Sequence, residues 1–183
     1  YQRYCERRGV TPKEVSSWDQ IPALPTDGFK AADLALLPAH TVSTFMTSGT
    51  TRAEEKGRVH YDEGGLKLMD ATIHEAASAY LFPDGLKSLI LIIAPPPQRA
   101  PHMVMAYGMN QLKDVFGLSR SRFLIEADGF EAQDLVNELR RSETEGTPTA
   151  IFGGSFGFVN FFDYCRQEGL RFHLPPGSRC LDA

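Results

Sequence analysis

The run Ser88 to Ala94 (SLILIIA) limits this chain more than any other stretch of it. From Leu89 onward every side chain in the run is apolar, so neither face of such a strand can rest against water. A strand buried on both faces belongs to a parallel sheet with helices packed above and below it. Pro95-Pro96-Pro97 ends the run, and strand and helix alternate from there. Met103 to Phe116 reads as a helix closed by Gly117, Arg122 to Ile125 as a short strand, and Glu131 to Glu145 as a helix closed by Gly146. Thr149 to Phe152 is the next strand, Phe156 to Glu168 a helix closed by Gly169, and Ser178 to Leu181 opens a further strand. Before the run, Leu66 to Leu81 is an Ala-rich helix that stops at Pro83-Asp84-Gly85. The expectation is an α/β fold, doubly wound: a mostly parallel sheet with helices on both faces.

Residues 1–40 have another character. Tyr1 to Arg8 is a helical start, but Pro12, Pro22, Pro25 and Pro38 then punctuate the chain at a density that disfavours long helices. This divides the sequence into an irregular Pro-rich segment over 1–40 and an α/β region over 41–183. The second region opens with a strand at Thr41 to Met46, whose β-branched and aromatic side chains suit a pleated surface. The first residue is Tyr1 rather than Met, so the native N-terminus is expected to lie upstream or to have been processed.

Charge and cysteine usage exclude some classes of function. A formal net charge of −4 offers no electrostatic reason to expect nucleic acid or an anionic membrane as a partner. No apolar run approaches the roughly 20 residues that span a bilayer, so no membrane span is expected. Cys5, Cys165 and Cys180 are too widely spaced for a CxxC pair, and no Cys/His cluster has ligand spacing, so no metal site is expected. Unpaired thiols fit a reducing, cytoplasmic setting.

Thr47-Ser48-Gly49-Thr50-Thr51 follows the first strand directly. A glycine among small hydroxyl residues lets successive N–H groups face one concavity, and the hydroxyls add donors without bulk, which is what a triphosphate needs. Arg52, Lys56 and Arg58 bring positive charge, and Lys56 stands where a side chain could fold back onto phosphate oxygens. No GxxxxGK[ST] occurs, so this is not a Walker A loop. From the pentapeptide alone, an ordinary Ser/Thr/Gly surface turn reads as well.

A rival motif lies later. Gly153-Gly154-Ser155-Phe156-Gly157 matches GxSxG between a strand and a helix, the setting of a hydrolase nucleophile elbow. A triad would draw its acid from Asp163, Glu168 or Asp182 and its base from His173, but Asp163 shares the expected helix and no HGGG-type oxyanion segment precedes. The competing reading is that these glycines bring strand and helix, or a ligand, close to the backbone. His102 follows Pro101 at a helix start beyond a strand end, where open α/β sheets bind ligands. His40, His60, His74 and His173 read as surface or capped histidines. Met103, Met105 and Met109 suit core packing or a pliable apolar wall. Phe156, Phe158, Phe161 and Phe162 read as core, and Cys180 as an inert thiol on a buried strand end.

Ser48-Gly49-Thr50-Thr51 after an apolar strand resembles the phosphate loop of the adenylate-forming superfamily, which includes acyl-CoA ligases and luciferase. Further segments narrow the resemblance to its acyl-protein synthetase (LuxE) branch. They are Trp18 to Phe29 with Ile21-Pro22-Ala23-Leu24-Pro25, then Phe29-Lys30, Phe45 to Thr51, Leu81-Phe82-Pro83-Asp84-Gly85, and Leu174-Pro175-Pro176-Gly177-Ser178-Arg179. They run in similar order and spacing over nearly the whole chain. The resemblance implies the N-terminal part of an adenylate-forming enzyme fold, with a C-terminal lid domain outside these residues. It implies a ligase that uses ATP with Mg2+ to convert a fatty acid, or another carboxylic acid, into an acyl-adenylate. The acyl group would then pass to a cysteine in the C-terminal part and on to an acyl reductase partner. An acyl-CoA ligase of the same superfamily is the near alternative.

On that resemblance Thr47, Ser48, Gly49, Thr50, Thr51, Arg52 and Lys56 would bind the ATP phosphates, and His102, Met103, Gly153, Gly154, Ser155 and Phe156 would line the acyl pocket. The lid lysine and the acyl-accepting cysteine would lie outside this chain, so the fragment alone is expected to be inactive. Arg52 departs from the family, which usually has glycine there. If that position needs positive φ, arginine costs about 1 kcal/mol; otherwise its guanidinium can bind phosphate. A serine hydrolase using Ser155 and a non-catalytic nucleotide-binding or docking domain are the alternatives from other classes.

Overall fold

In the N-terminal part helices α1 (Gln2–Arg7) and α2 (Gly28–Ala31) are short, and single 3₁₀ turns stand at Trp18–Gln20 and Pro38–His40. The computed structural model describes residues 1–35, 38–47, 56–127 and 129–183, which cluster into two compact units, Tyr1–Glu63 and Gly64–Ala183. In the first unit the Tyr1 and Tyr4 hydroxyls donate to the carbonyls of Pro22 (2.6 Å) and Ala23 (2.8 Å), which ties α1 to the extended stretch beside it. Strands β1 (Ser43–Met46) and β2 (Arg58–Tyr61) pair antiparallel, with Thr44 opposite His60 and Phe45 opposite Val59. The strand read over Thr41 to Met46 is therefore one arm of a hairpin in the first unit. Its partner β2 carries Arg58 and His60 between the strand formers Val59 and Tyr61, too short a run to stand out in the sequence. Phe45 is buried, with the Tyr61 ring edge-on at 5.6 Å.

The second unit is a three-layer α/β body. In order it contains α3 (Glu63–Ala76), which ends in a π-helical turn (Ala77–Leu81), β3 (Leu89–Ile93), α4 (Val104–Phe116) and β4 (Arg122–Phe123). A small antiparallel hairpin of β5 (Ile125–Glu126) and β6 (Gly129–Phe130) follows, then α5 (Ala132–Glu145), β7 (Thr149–Gly153), α6 (Ser155–Gln167) and β8 (Arg179–Asp182). The sheet order is β4-β3-β7-β8 and every pairing in it is parallel. The strand expected over Arg122 to Ile125 is split. Leu124 still donates to the Ile92 carbonyl (2.8 Å), and the chain then leaves the sheet for the β5–β6 hairpin.

β3 lies at the centre and explains the apolar run: its residues are all 3% exposed or less. Ile90, Ile92 and Ala94 pack on one face with Ala77, Met109 and Leu112 from α3's end and α4. Leu89, Leu91 and Ile93 pack on the other with Leu135, Val136 and Leu139 of α5 and Phe158 and Phe161 of α6. Alternate side chains of one strand thus feed two cores, as the period of two requires. Gly146 ends α5 at φ +66°, a left-handed cap that costs glycine little.

Two of the segments that carry the resemblance meet in this unit. The Arg179 guanidinium pairs with Asp84 (Nη2 to Oδ2, 2.7 Å), donates to the Leu81 carbonyl and lies 4.7 Å from the centre of the Phe82 ring. Ser178 Oγ accepts the Thr149 N–H (3.1 Å). Asp84 precedes β3 and Arg179 opens β8, so this clamp sits at the amino ends of the strands. It is a packing device remote from the edge where a parallel sheet binds ligands.

Candidate functional site

The expected phosphate-binding residues Thr47 to Arg52 and Lys56 follow β1 and precede β2 in the sequence. Of these, Thr47 and Lys56 are described, whereas Ser48, Gly49, Thr50, Thr51 and Arg52 lie outside the described residues. The hairpin is closed at its root by a reciprocal pair. Thr47 N–H donates to the Gly57 carbonyl (3.0 Å) and Gly57 N–H donates to Thr47 Oγ1 (3.0 Å). Gly57 is buried, and a Cβ there would lie 3.3 Å from Thr47 Cγ2, a tight contact, and 3.7 Å from Lys30 Cγ, an ordinary one. Below it, Asp33 forms an ion pair with Arg58 (2.7 Å) and comes within 3.5 Å of His60 Nε2, while His60 Nδ1 bonds Thr44 Oγ1 (2.9 Å). Asp33 thus ties β2 to the segment after α2. Lys56 is exposed.

In the second unit the strand order creates a switch point. α4 carries the chain from β3 to β4 on one side, and α5 carries it back past β3 to β7 on the other. At the carboxyl ends α4 leaves β3 toward β4 on one face and α6 leaves β7 toward β8 on the other, so β3 and β7 flank the switch point at which open parallel sheets bind ligands. There β7 ends in Gly153, Gly154 caps α6 and Ser155 is the first helical residue. A Cβ on Gly153 would lie 3.2 Å from the Ile93 Cβ and carbonyl, and one on Gly157 only 2.8 Å from Ile93 Cγ2. Those glycines let α6 press onto the end of β3. Gly154 is different, since its nearest neighbours would be the Ala183 carbonyl at 3.6 Å and Met105 Sδ and Cε at 3.9 Å. It is the one glycine of this motif with ordinary room.

Ser155 Oγ donates to the Asp182 carboxylate, 3.1 and 3.0 Å from its two oxygens. No described residue other than glycine has positive φ, and Ser155 sits in a helix, not on the strained turn of a nucleophile elbow. His173 lies in the segment between α6 and β8, at the amino edge of the sheet, where its N–H donates to Glu143. Serine, acid and histidine are therefore not assembled as a triad.

The structure brings Gly153, Gly154 and Ser155 together with Ile93, Met105 and Asp182. Met103 caps α4, and Met105, two residues on, is the side chain that reaches Gly154. His102 is exposed. Phe156 is 87% exposed and Phe162 55%, so both leave the core read for them from the sequence, while Phe158 and Phe161 are buried. The cause is the helical period: α6 turns one face to the sheet and carries more phenylalanine than that face can hold. Cys180 is likewise exposed rather than buried, because β8 forms the edge of the four-stranded sheet. Desolvation pushes the Cys165 thiol up, which keeps it protonated and weakly nucleophilic at neutral pH. Asp182, Met105, Asp33 and Lys30 gain their places only from packing. In the sequence Asp182 is only one of several acids after Ser155.

Among the described residues no helix is long and apolar enough to cross a membrane, and no group of three or more His, Cys, Asp or Glu is gathered to hold a metal ion. No family model matches the chain, and no curated protein or solved structure matches it.

Proposed function

We propose that the chain is part of an ATP-dependent ligase of the acyl-protein synthetase (LuxE) type, which activates a carboxylic acid, a fatty acid by preference, as its acyl-adenylate and passes the acyl group to a protein thiol in the cytoplasm. The observation that carries this reading is the hairpin of the first unit. Thr47 and Gly57 fasten its root, and the Ser48-Gly49-Thr50-Thr51 sequence is followed by three cations, Arg52, Lys56 and Arg58, in a chain of net charge −4. In such a reaction the acid's own carboxylate attacks the α-phosphorus and pyrophosphate leaves. The chain's task is to hold the β- and γ-phosphates and offset their charge. Mg2+, which keeps several waters and binds largely through substrate phosphates, would neutralise the triphosphate. The switch point at the carboxyl ends of β3 and β7, where Met105 lies beside Gly154, suits the acyl part of an acid.

The serine-hydrolase reading finds less support. Ser155 is helical, its hydroxyl is engaged by a carboxylate, and His173 lies at the other edge of the sheet. The full-length protein is expected to catalyse pyrophosphate–ATP exchange that depends on added fatty acid. Thr50→Ala should lower that exchange by about tenfold or more, the scale of one lost transition-state hydrogen bond. Wild-type protein that shows no exchange with any carboxylic acid, or a folded Thr50→Ala variant with full exchange, would sink the assignment.

A further inference from the structure

We propose that the groove between α1 and α2 is a docking site for an acidic peptide segment of a partner protein, which sets an apolar side chain in the groove and pairs its carboxylates with Arg3 and Arg7. The inference stands apart from the nucleotide reading. The groove encloses about 390 Å³ and is lined by Tyr4 of α1 and by Leu24, Ala32 and Leu34 from the chain around α2. Its walls are fixed before any ligand arrives. The Tyr1 and Tyr4 hydroxyls donate to the Pro22 and Ala23 carbonyls, and Leu24 lies so close to α2 that a Cβ on Gly28 would stand 3.1 Å from its Cδ1. A groove formed in advance loses little conformational freedom when it is filled.

Charge selects the partner. Arg3 and Arg7 line the same groove, are both exposed, and stand one helical turn apart, roughly 6 Å along the axis. Neither has a carboxylate partner among the described residues, because the neighbouring charges are engaged elsewhere. Arg8 lies over the Tyr4 ring at 4.8 Å, Glu6 accepts from Gln2 at 2.7 Å, Asp27 pairs with Lys30, and Asp33 with Arg58. Two unpaired guanidinium groups beside an apolar groove suit carboxylates attached to something apolar. Four of the nine lining residues are Tyr or Arg, the types that anchor protein interfaces, which favours a peptide over a lipid. Residues two apart in an extended peptide are spaced by roughly 6.7 Å, so a carboxylate on each can meet Arg3 and Arg7.

The test pans a phage library of random short peptides against the full-length protein. The selected peptides are then titrated by fluorescence anisotropy, at low and high salt, against wild type, the double variant Arg3→Gln with Arg7→Gln, Ala32→Glu, and Arg8→Gln as a control. All four positions are exposed, so the fold should survive each change, which circular dichroism checks. The expected peptides carry two acidic residues beside an aliphatic or aromatic one. They should bind the double variant and Ala32→Glu about tenfold or more weakly, lose affinity for wild type as salt rises, and bind Arg8→Gln like wild type. Failure to select any peptide, selected peptides without acidic residues, or affinities that neither the double variant nor Ala32→Glu lowers would overturn the proposal. The same proteins are sedimented with phosphatidylcholine vesicles with and without phosphatidylglycerol. Binding to the anionic vesicles that the double variant abolishes, with no peptide selected, would make this surface a lipid contact and the peptide assignment wrong.

Discussion

At Arg179 one guanidinium reaches the Leu81 carbonyl, the Phe82 ring and the Asp84 carboxylate, and the last of these has a consequence that can be titrated. The hydrogen bond from Arg179, helped by the Leu86 N–H, holds the Asp84 carboxyl below the usual carboxylate range. A carboxylate depressed in the folded state stabilises it fully above its unfolded pKa and loses that contribution as pH falls through the folded value. Arg179→Gln should therefore return Asp84 toward its ordinary pKa in an NMR titration. It should also shrink the drop in melting temperature between about pH 4 and the folded Asp84 value. An unchanged Asp84 titration would refute the pairing. Ser155 supplies the second test at this scale. Held by Asp182 and without an activating base, it should remain unlabelled by a fluorophosphonate probe, and Ser155→Ala should leave acid-dependent exchange within a few-fold of wild type. Stoichiometric labelling, with ATP-independent ester hydrolysis that Ser155→Ala abolishes, would restore the hydrolase reading.

Among the elements, the junction of β3, β7 and α6 separates glycines that the fold needs from one it does not. Gly157→Ala drives a methyl to 2.8 Å from Ile93 Cγ2 at the end of β3, and should destabilise by about 1–3 kcal/mol, as overpacking does. Gly154→Ala meets nothing nearer than 3.6 Å, with φ −86° and ψ 159° that any residue adopts, and should be near neutral in a denaturant melt. If the order of the two is reversed, the close approach of α6 to β3 is wrong. Within β3, Ile92→Ala removes a fully buried side chain from the core shared with Met109 and Phe152, and should cost about 2–5 kcal/mol.

For the whole molecule, the distribution of the core decides what folds alone. Apart from Phe45, the buried apolar side chains among the described residues all belong to Gly64–Ala183, where they form two clusters on opposite faces of the sheet. The piece 64–183 should therefore unfold cooperatively by itself, whereas 1–63 should show no cooperative melt by circular dichroism. A non-cooperative 64–183 would show that its core needs the first unit. The parallel sheet and its helices are legible in the sequence, because an all-apolar run such as Leu89 to Ala94 has few ways to hide both faces, and Gly117, Gly146 and Gly169 mark where helices stop. The β1–β2 hairpin is not, since Arg58 and His60 are strand residues through their backbone pairing with Met46 and Thr44 of β1 and not through their own propensity. The chemistry of the hydroxyl-glycine loop and of the GxSxG turn was visible as residue types. Whether Ser155 meets a histidine or a carboxylate was not. Sequence determined which segments had to be buried, since that depends on each side chain's own affinity for water. Only the tertiary structure decided which distant groups became neighbours, Ser155 with Asp182, Arg179 with Asp84, Lys30 with Gly57. Those pairings follow from strand order and the packing of helices on the sheet or hairpin, which no local pattern encodes.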